Sequence, residues 1–218
     1  MHRRVLALVA AALLLSGCAA TDPTPAHTSA PPSRTAETPT AAPTPTTASA
    51  IVLGLDSLEI TQAGATRVVR FDTPDPLLVL VEELTGVPRN GEVVEDPWGN
   101  GDMWGTTYRW DEITITVPID GPANVAILAA TLGGIPVRTT EGIGVGDSRD
   151  EVLAAGGWEH WDADGDGVSD YLGIDSRDAP DTQSLTRPGE VGRMFILAGL
   201  DGDIVSELQS PSNDFSDI

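Results

Sequence analysis

The chain contains a single cysteine, Cys18, so whatever part of it folds must do so without an internal disulfide. Stability then has to come from an apolar core, or from a bound ion. Residues 19–50 cannot supply such a core. They are almost entirely Thr, Pro, Ala and Ser, with prolines at Pro31, Pro32, Pro43 and Pro45 among others. They bury too little to offset the entropy of ordering them, so 18–50 is expected to be a disordered tether, extended at up to about 3 Å per residue. Folding falls to residues 51–211, roughly 160 residues, the size of one domain or two small ones. Residues 212–218 read as a flexible acidic tail.

Ahead of the tether stand His2-Arg3-Arg4 and then 11 apolar residues, Val5 to Leu15. That run is well short of the roughly 20 residues a membrane-spanning helix needs. With Ser16 and Gly17 it leads into Cys18, and Leu13-Leu14-Leu15-Ser16-Gly17-Cys18 resembles the lipobox of bacterial lipoproteins. The resemblance implies that 1–17 are a signal peptide removed ahead of Cys18, whose thiol receives a diacylglycerol and whose new amino group is acylated. The protein would then be held on the extracellular face of the cell membrane. Two or more acyl chains give lasting attachment, at about 0.8 kcal/mol per buried methylene. All 12 basic residues are arginine, and the bias towards Ala, Gly, Thr and Pro is that of a GC-rich, actinobacterial genome.

Removal of 1–17 would take away Arg3 and Arg4 and no acid, leaving 33 acidic against 10 basic residues, a net charge of −23. Such a surface repels nucleic acid phosphates and anionic headgroups, so the membrane partner is the lipid anchor and not the lipid surface. Cations and basic proteins suit it, and acidity also keeps an exported protein dispersed.

In the first half of the domain, 57–60 and 67–71 read as strands. Asp72 or Thr73 caps a helix with Pro74 and Pro76 in its first turn and Leu77, Leu78, Leu80, Val81 and Leu84 at helical spacing, ended by Gly86 and Pro88. Gly91 to Gly105 reads as a long loop. Thr107 to Val117 reads as one strand because apolar residues alternate at 113, 115 and 117, and 124–132 as the next. In the second half, Ser148-Arg149-Asp150-Glu151 matches a capping box opening a helix from Arg149 to Ala155, stopped by Gly156-Gly157. Tyr171 to Ile174 is a short strand, and 194–197 and 204–208 form a closing hairpin about a 199–202 turn.

The expected fold is α+β: an antiparallel sheet with two short helices, divisible into helix-plus-sheet halves at 51–135 and 136–211. The segment Gly142-Ile143-Gly144-Val145-Gly146-Asp147-Ser148, continuing to Glu151-Val152-Leu153 and followed by the terminal hairpin, resembles small secreted actinobacterial lipoprotein domains. Their helix-plus-sheet repeat is similar to that of beta-lactamase-inhibitor-protein-like domains. That resemblance implies a binding or inhibitory surface formed by the sheet and its loops, without catalysis.

One stretch carries definite chemistry. Asp162-Ala163-Asp164-Gly165-Asp166-Gly167 follows the D-x-D-x-D-G calcium loop shared by EF-hands, dockerins and thrombospondin-type repeats. Carboxylates of Asp162, Asp164 and Asp166 converge on one ion, Gly167 permits the sharp turn, and the Val168 carbonyl and Asp170 add oxygens. The bidentate glutamate of an EF-hand is replaced by Gly173, and Asp175 substitutes only if the following strand turns back. The reading is a structural calcium site of the weak extracellular class, with a dissociation constant of about 0.1 to 1 mM. The alternative is a solvated Asp/Gly turn.

Trp98, Trp104, Trp110, Trp158 and Trp161 outnumber the three phenylalanines. Trp110 and Trp158 read as core, while Trp98 and Trp104 divide between core and a ligand-stacking platform. No G-x-S-x-G elbow, H-E-x-x-H, phosphate loop or cysteine nucleophile occurs after residue 18. The expectation is a non-enzymatic binding or protein-interaction module at the cell envelope. A wall-glycan or solute-binding lipoprotein using Trp98 and Trp104 is the alternative, and an envelope hydrolase the third.

Overall fold

A computed structural model describes residues 48–95 and 103–216. The signal segment, Cys18, the tether as far as residue 47, and Trp98 lie outside the described residues. Within them the chain is α+β, with two short helices and sheets that are antiparallel apart from one strand pair.

Three strands come first, β1 (Ala50–Leu53), β2 (Ser57–Gln62) and β3 (Ala65–Arg70), followed by helix α1 (Pro74–Thr85). Thr73 is the N-cap by position, although its side chain makes no capping bond, and Pro74 occupies the first turn where a missing N–H costs nothing. Gly86 ends the helix in the left-handed conformation, φ 69°. A four-stranded meander follows: β4 (Gly91–Glu95), β5 (Met103–Arg109), β6 (Ile113–Pro118) and β7 (Asn124–Ile127). The short β8 (Thr131–Leu132) and β9 (Ile135–Thr139) lead to α2 (Arg149–Ala154), which opens with the expected capping box: Ser148 accepts from Glu151 N–H and Glu151 from Ser148 N–H. A second four-stranded meander completes the fold: β10 (Trp158–Trp161), β11 (Tyr171–Gln183), β12 (Val191–Asp201) and β13 (Ile204–Asn213).

The order of a helix followed by four antiparallel strands thus occurs once in each half. The two meanders join edge to edge where β7 pairs antiparallel with β13, making one eight-stranded sheet ordered β10-β11-β12-β13-β7-β6-β5-β4. The remaining strands form a five-stranded sheet, β3-β2-β1-β9-β8, in which β1 and β9 are parallel.

The register of the large sheet separates its two faces. Leu172, Ala198, Leu208, Ile127 and Ile113 are paired across five neighbouring strands, and all are fully buried. One residue along, Gly173, Leu197, Gln209, Ala126 and Thr114 form the opposite row, and the last four are half-exposed. The period of two sends the first row into the core and the second outward. Ile51, Leu53, Leu58 and Ile60 of the small sheet, Leu77 and Val81 of α1 and Val152 of α2 belong to the same cluster, so a single core lies between the two sheets. Ser210 Oγ, donating to the Gly54 carbonyl at 2.8 Å, ties the sheets at its margin.

Several elements differ from the sequence expectation. Thr107 to Val117 is a hairpin: Trp110 N–H bonds the Ile113 carbonyl, closing a turn over Asp111 and Glu112 between β5 and β6. The 124–132 run divides between β7 and β8, which lie in different sheets, because the chain leaves the large sheet after Ile127. Residues 91–95 and 103–105 of the expected loop are β4 and the start of β5. β11 runs to Gln183 and not Ile174, and the closing turn is Asp201 to Ile204, with Gly202 at φ 61°. β13 continues to Asn213 and Asp214 is buried, so 212–216 belong to the fold and are not a flexible tail.

Candidate functional site

The aspartate loop is the connection of the β10–β11 hairpin. Trp161 and Tyr171 stack at its base with centroids 5.6 Å apart, and the Asp170 carbonyl accepts from Leu200 N–H of β12. From the other side, Arg149 of α2 reaches across: one guanidinium nitrogen donates to the Ser169 carbonyl at 2.7 Å and Nε to Asp203 at 3.0 Å. The capping box that starts α2 therefore also aims the arginine that holds the loop.

Within the loop, each carboxylate takes backbone donors. Asp162 accepts from Gly165 N–H at 2.7 Å and Gly167 N–H at 2.8 Å, Asp164 from Asp166 N–H, and Asp166 from Val168 N–H. Gly165 and Gly167 adopt φ 77° and 92°, which only glycine takes at no steric cost. The Gly167 bond first, with that from Gly165, holds the Asp162 carboxyl below the usual carboxylate range despite some desolvation. One oxygen from each of Asp162, Asp164 and Asp166 lies within 4.8 Å of the others, an arrangement that could hold a metal ion.

The other expected ligands are placed differently. Asp170 turns its carboxylate to Ala163 N–H at 2.7 Å and closes the loop base. Val168 is exposed within the loop, its N–H given to Asp166. Gly173 lies under the Trp158 indole, so that a Cβ there would sit 2.1 Å from a ring carbon. Asp175 belongs to β11, and the strand does not turn back towards the loop. Burial first, then the charge of Glu141, pushes the Asp175 carboxyl above its ordinary range.

Of the proposed platform, Trp104 is half-buried on β5. Trp110 is core as expected, 7% exposed, with its indole N–H on the Val87 carbonyl at 3.0 Å. Trp158, expected in the core, is half-buried on the outward side of the large sheet, edge-on to Phe195 at 5.5 Å. His160 packs on the same ring at 4.6 Å, and burial lowers its pKa.

Beside these rings lies a group that sequence reasoning missed. The Asp214 side chain is 3% exposed and accepts from Ser184 Oγ at 2.6 Å, Arg187 at 2.8 Å and Arg193 N–H at 2.6 Å. Burial pushes its pKa up, but the Arg187, Ser184 and Arg193 donors outweigh that and hold the carboxyl below its usual range. The only sequence signal was a run of polar residues near the end of the chain, which resembles a tail until β13 is known to continue through it.

Comparison with protein-family models, curated proteins and solved structures returned no match for this chain.

Proposed function

We propose that the chain is a lipoprotein anchored at Cys18 on the extracellular face of a bacterial membrane, and that its domain binds a protein partner through the outward face of the eight-stranded sheet. The observation that supports this is the unequal treatment of the two faces. One is packed at zero exposure into the core, while no described element covers the row Leu197, Gln209, Ala126 and Thr114 on the other. Seven inter-strand spacings of about 4.8 Å make the face about 34 Å across, and five paired residues make it about 17 Å tall. That is about 570 Å², against the roughly 800 Å² each partner buries in a standard interface, so the flanking loops supply the remainder. Thr, Asn, Gln and Ala with aromatics at one edge is the mixed composition of a non-obligate surface. The net negative charge favours a neutral or basic partner and disfavours nucleic acid. The lipobox resemblance supports the anchor in this reading.

In the same reading Asp162, Asp164 and Asp166 hold a calcium ion that stiffens the hairpin at the edge of the face. Its role is structural, and no catalytic step is assigned to it.

The test is binding of a fractionated envelope protein to the full chain and to variants. Ala126→Arg and Leu197→Glu, placed on the outward row, should abolish capture, whereas Val79→Glu on the exposed side of α1 should not. Capture unchanged by both outward-face variants would overturn the assignment.

A further inference from the structure

The outward face carries a concavity of about 220 Å³ at its β10 edge, lined by Trp158, His160 and Phe195 on one side and by Arg187, Arg193 and Asp214 on the other. This lies below the roughly 300 Å³ lower end of pockets for drug-sized ligands, and is the scale of a single ring. Phe195 forms the floor, 1% exposed, and Trp158 is laid against Gly173, where no side chain intervenes.

The polar wall is built, not incidental. The β11–β12 connection folds back so that Ser184 and Arg187 both donate to Asp214, and Leu185 N–H donates to the Asp214 carbonyl at 2.6 Å. Arg187 is also paired with Glu190 at 2.5 Å, which fixes its plane. Arg193 is held more loosely, its Nε 3.5 Å from the exposed Asp178. No described residue hydrogen-bonds the His160 ring or the Trp158 indole N–H, and both residues are half-exposed. The groups left available are therefore an imidazole, an indole N–H, guanidinium edges and a carboxylate with three of about four lone-pair sites used.

Each charge of the lining already has a counter-ion: Arg187 is paired with Asp214 and Glu190, Arg193 with Asp178, and Glu159 with Arg149 at 3.7 Å. Burial lowers the His160 pKa and so favours its uncharged form. A charged ligand would have to compete with one of these pairs, which disfavours both an anion and a cation. Neighbouring fixed donors and acceptors instead match vicinal hydroxyls, each of which donates and accepts, and the aromatic rings match the C–H face of a saturated ring. Preorganisation by the Asp214 network keeps the ordering cost of binding low.

We propose that this pocket is a subsite for one neutral sugar ring, stacked on Trp158 and hydrogen-bonded to His160, Arg193 and the Arg187–Asp214 pair.

The test is titration of the full chain, separately, with glucose, galactose, mannose, arabinose and N-acetylglucosamine, followed by tryptophan fluorescence and calorimetry. Acetate and tetramethylammonium serve as charged probes. At least one sugar should give a saturable response, weakened about tenfold or more in His160→Ala and in Trp158→Phe. Trp104→Ala should retain it. Ala126→Arg, on β7 and two strands from the β12 residues of the lining, should also retain it, which separates this pocket from the protein-binding reading. Should Trp158→Phe fail to fold, Arg193→Gln takes its place, since that side chain is exposed and weakly paired. Absence of a response to every sugar, a response unchanged in His160→Ala, or binding of the charged probes alone would overturn the proposal.

Discussion

Asp175 combines two costs at one position. Its backbone is left-handed at φ 51°, a conformation less favourable than the right-handed one for any residue but glycine, although asparagine and aspartate tolerate it best, and its carboxyl is pushed up by burial and by Glu141. The folded chain holds that proton more tightly than the unfolded one, so the penalty is absent at low pH and appears as pH rises through the folded value. Asp175→Asn keeps the left-handed preference and removes the charge. Its melting temperature should rise at neutral pH and be unchanged near about pH 3, as read by calorimetry. The aspartate loop is the second residue-scale case. If it binds calcium with a dissociation constant near 0.1 mM, 1 mM calcium should raise the melting temperature of the full chain by about 3 to 6 °C relative to chelator. In Asp162→Ala and Asp164→Ala that difference should vanish, whatever those variants do to the baseline. An equal melt with and without calcium in the parent chain would return the loop to ordinary Asp/Gly turns.

At the scale of elements, local chemistry was legible and pairing was not. The capping box at Ser148, the prolines of α1 and its glycine stop are contained within a few residues, and the helices stand where those signals lie. Ser148→Ala should cost about 1 kcal/mol, seen as a fall of about 2 to 4 °C in the melt. It should also loosen the aspartate hairpin, because Arg149 follows directly, and amide exchange at Ser169 to Tyr171 would report this. Strands were harder. Alternation at 113, 115 and 117 marks a buried face but does not reveal that the chain reverses at Asp111-Glu112, since both arms of a hairpin share the pattern. β4 was invisible because it is an edge strand whose residues are mostly exposed, leaving no apolar face to alternate. Trp158 read as core because the chain has five tryptophans and only three phenylalanines. Its true position depends on Gly173, fifteen residues on, leaving room for the indole, and only the β10–β11 register reveals that.

For the whole molecule the decisive contact is β7 with β13, between residues more than eighty apart in sequence. It turns two separate meanders into one sheet and creates an outward face wide enough for a partner. The α+β class and antiparallel character were readable from composition and periodicity, whereas this seam was not, because no local signal encodes which edges meet. The proposed anchor belongs to the same scale. Cys18→Ala should release the protein from membranes into the medium, and mass spectrometry of the parent chain should find a lipid-modified amino terminus at residue 18. A soluble, unmodified parent chain would remove the lipoprotein reading while leaving the sheet and its pocket untouched.

The position of β1 carries a mechanical consequence. It lies inside the small sheet, with β2 on one side and β9 on the other, and the proposed tether enters the fold directly through it at Ala50. A tug between the proposed anchor and a captured partner would reach the fold at this strand. Both hydrogen-bonded ladders would have to break to release it, where an edge strand is held by only one. A chain attached in this way can bear load at its point of attachment.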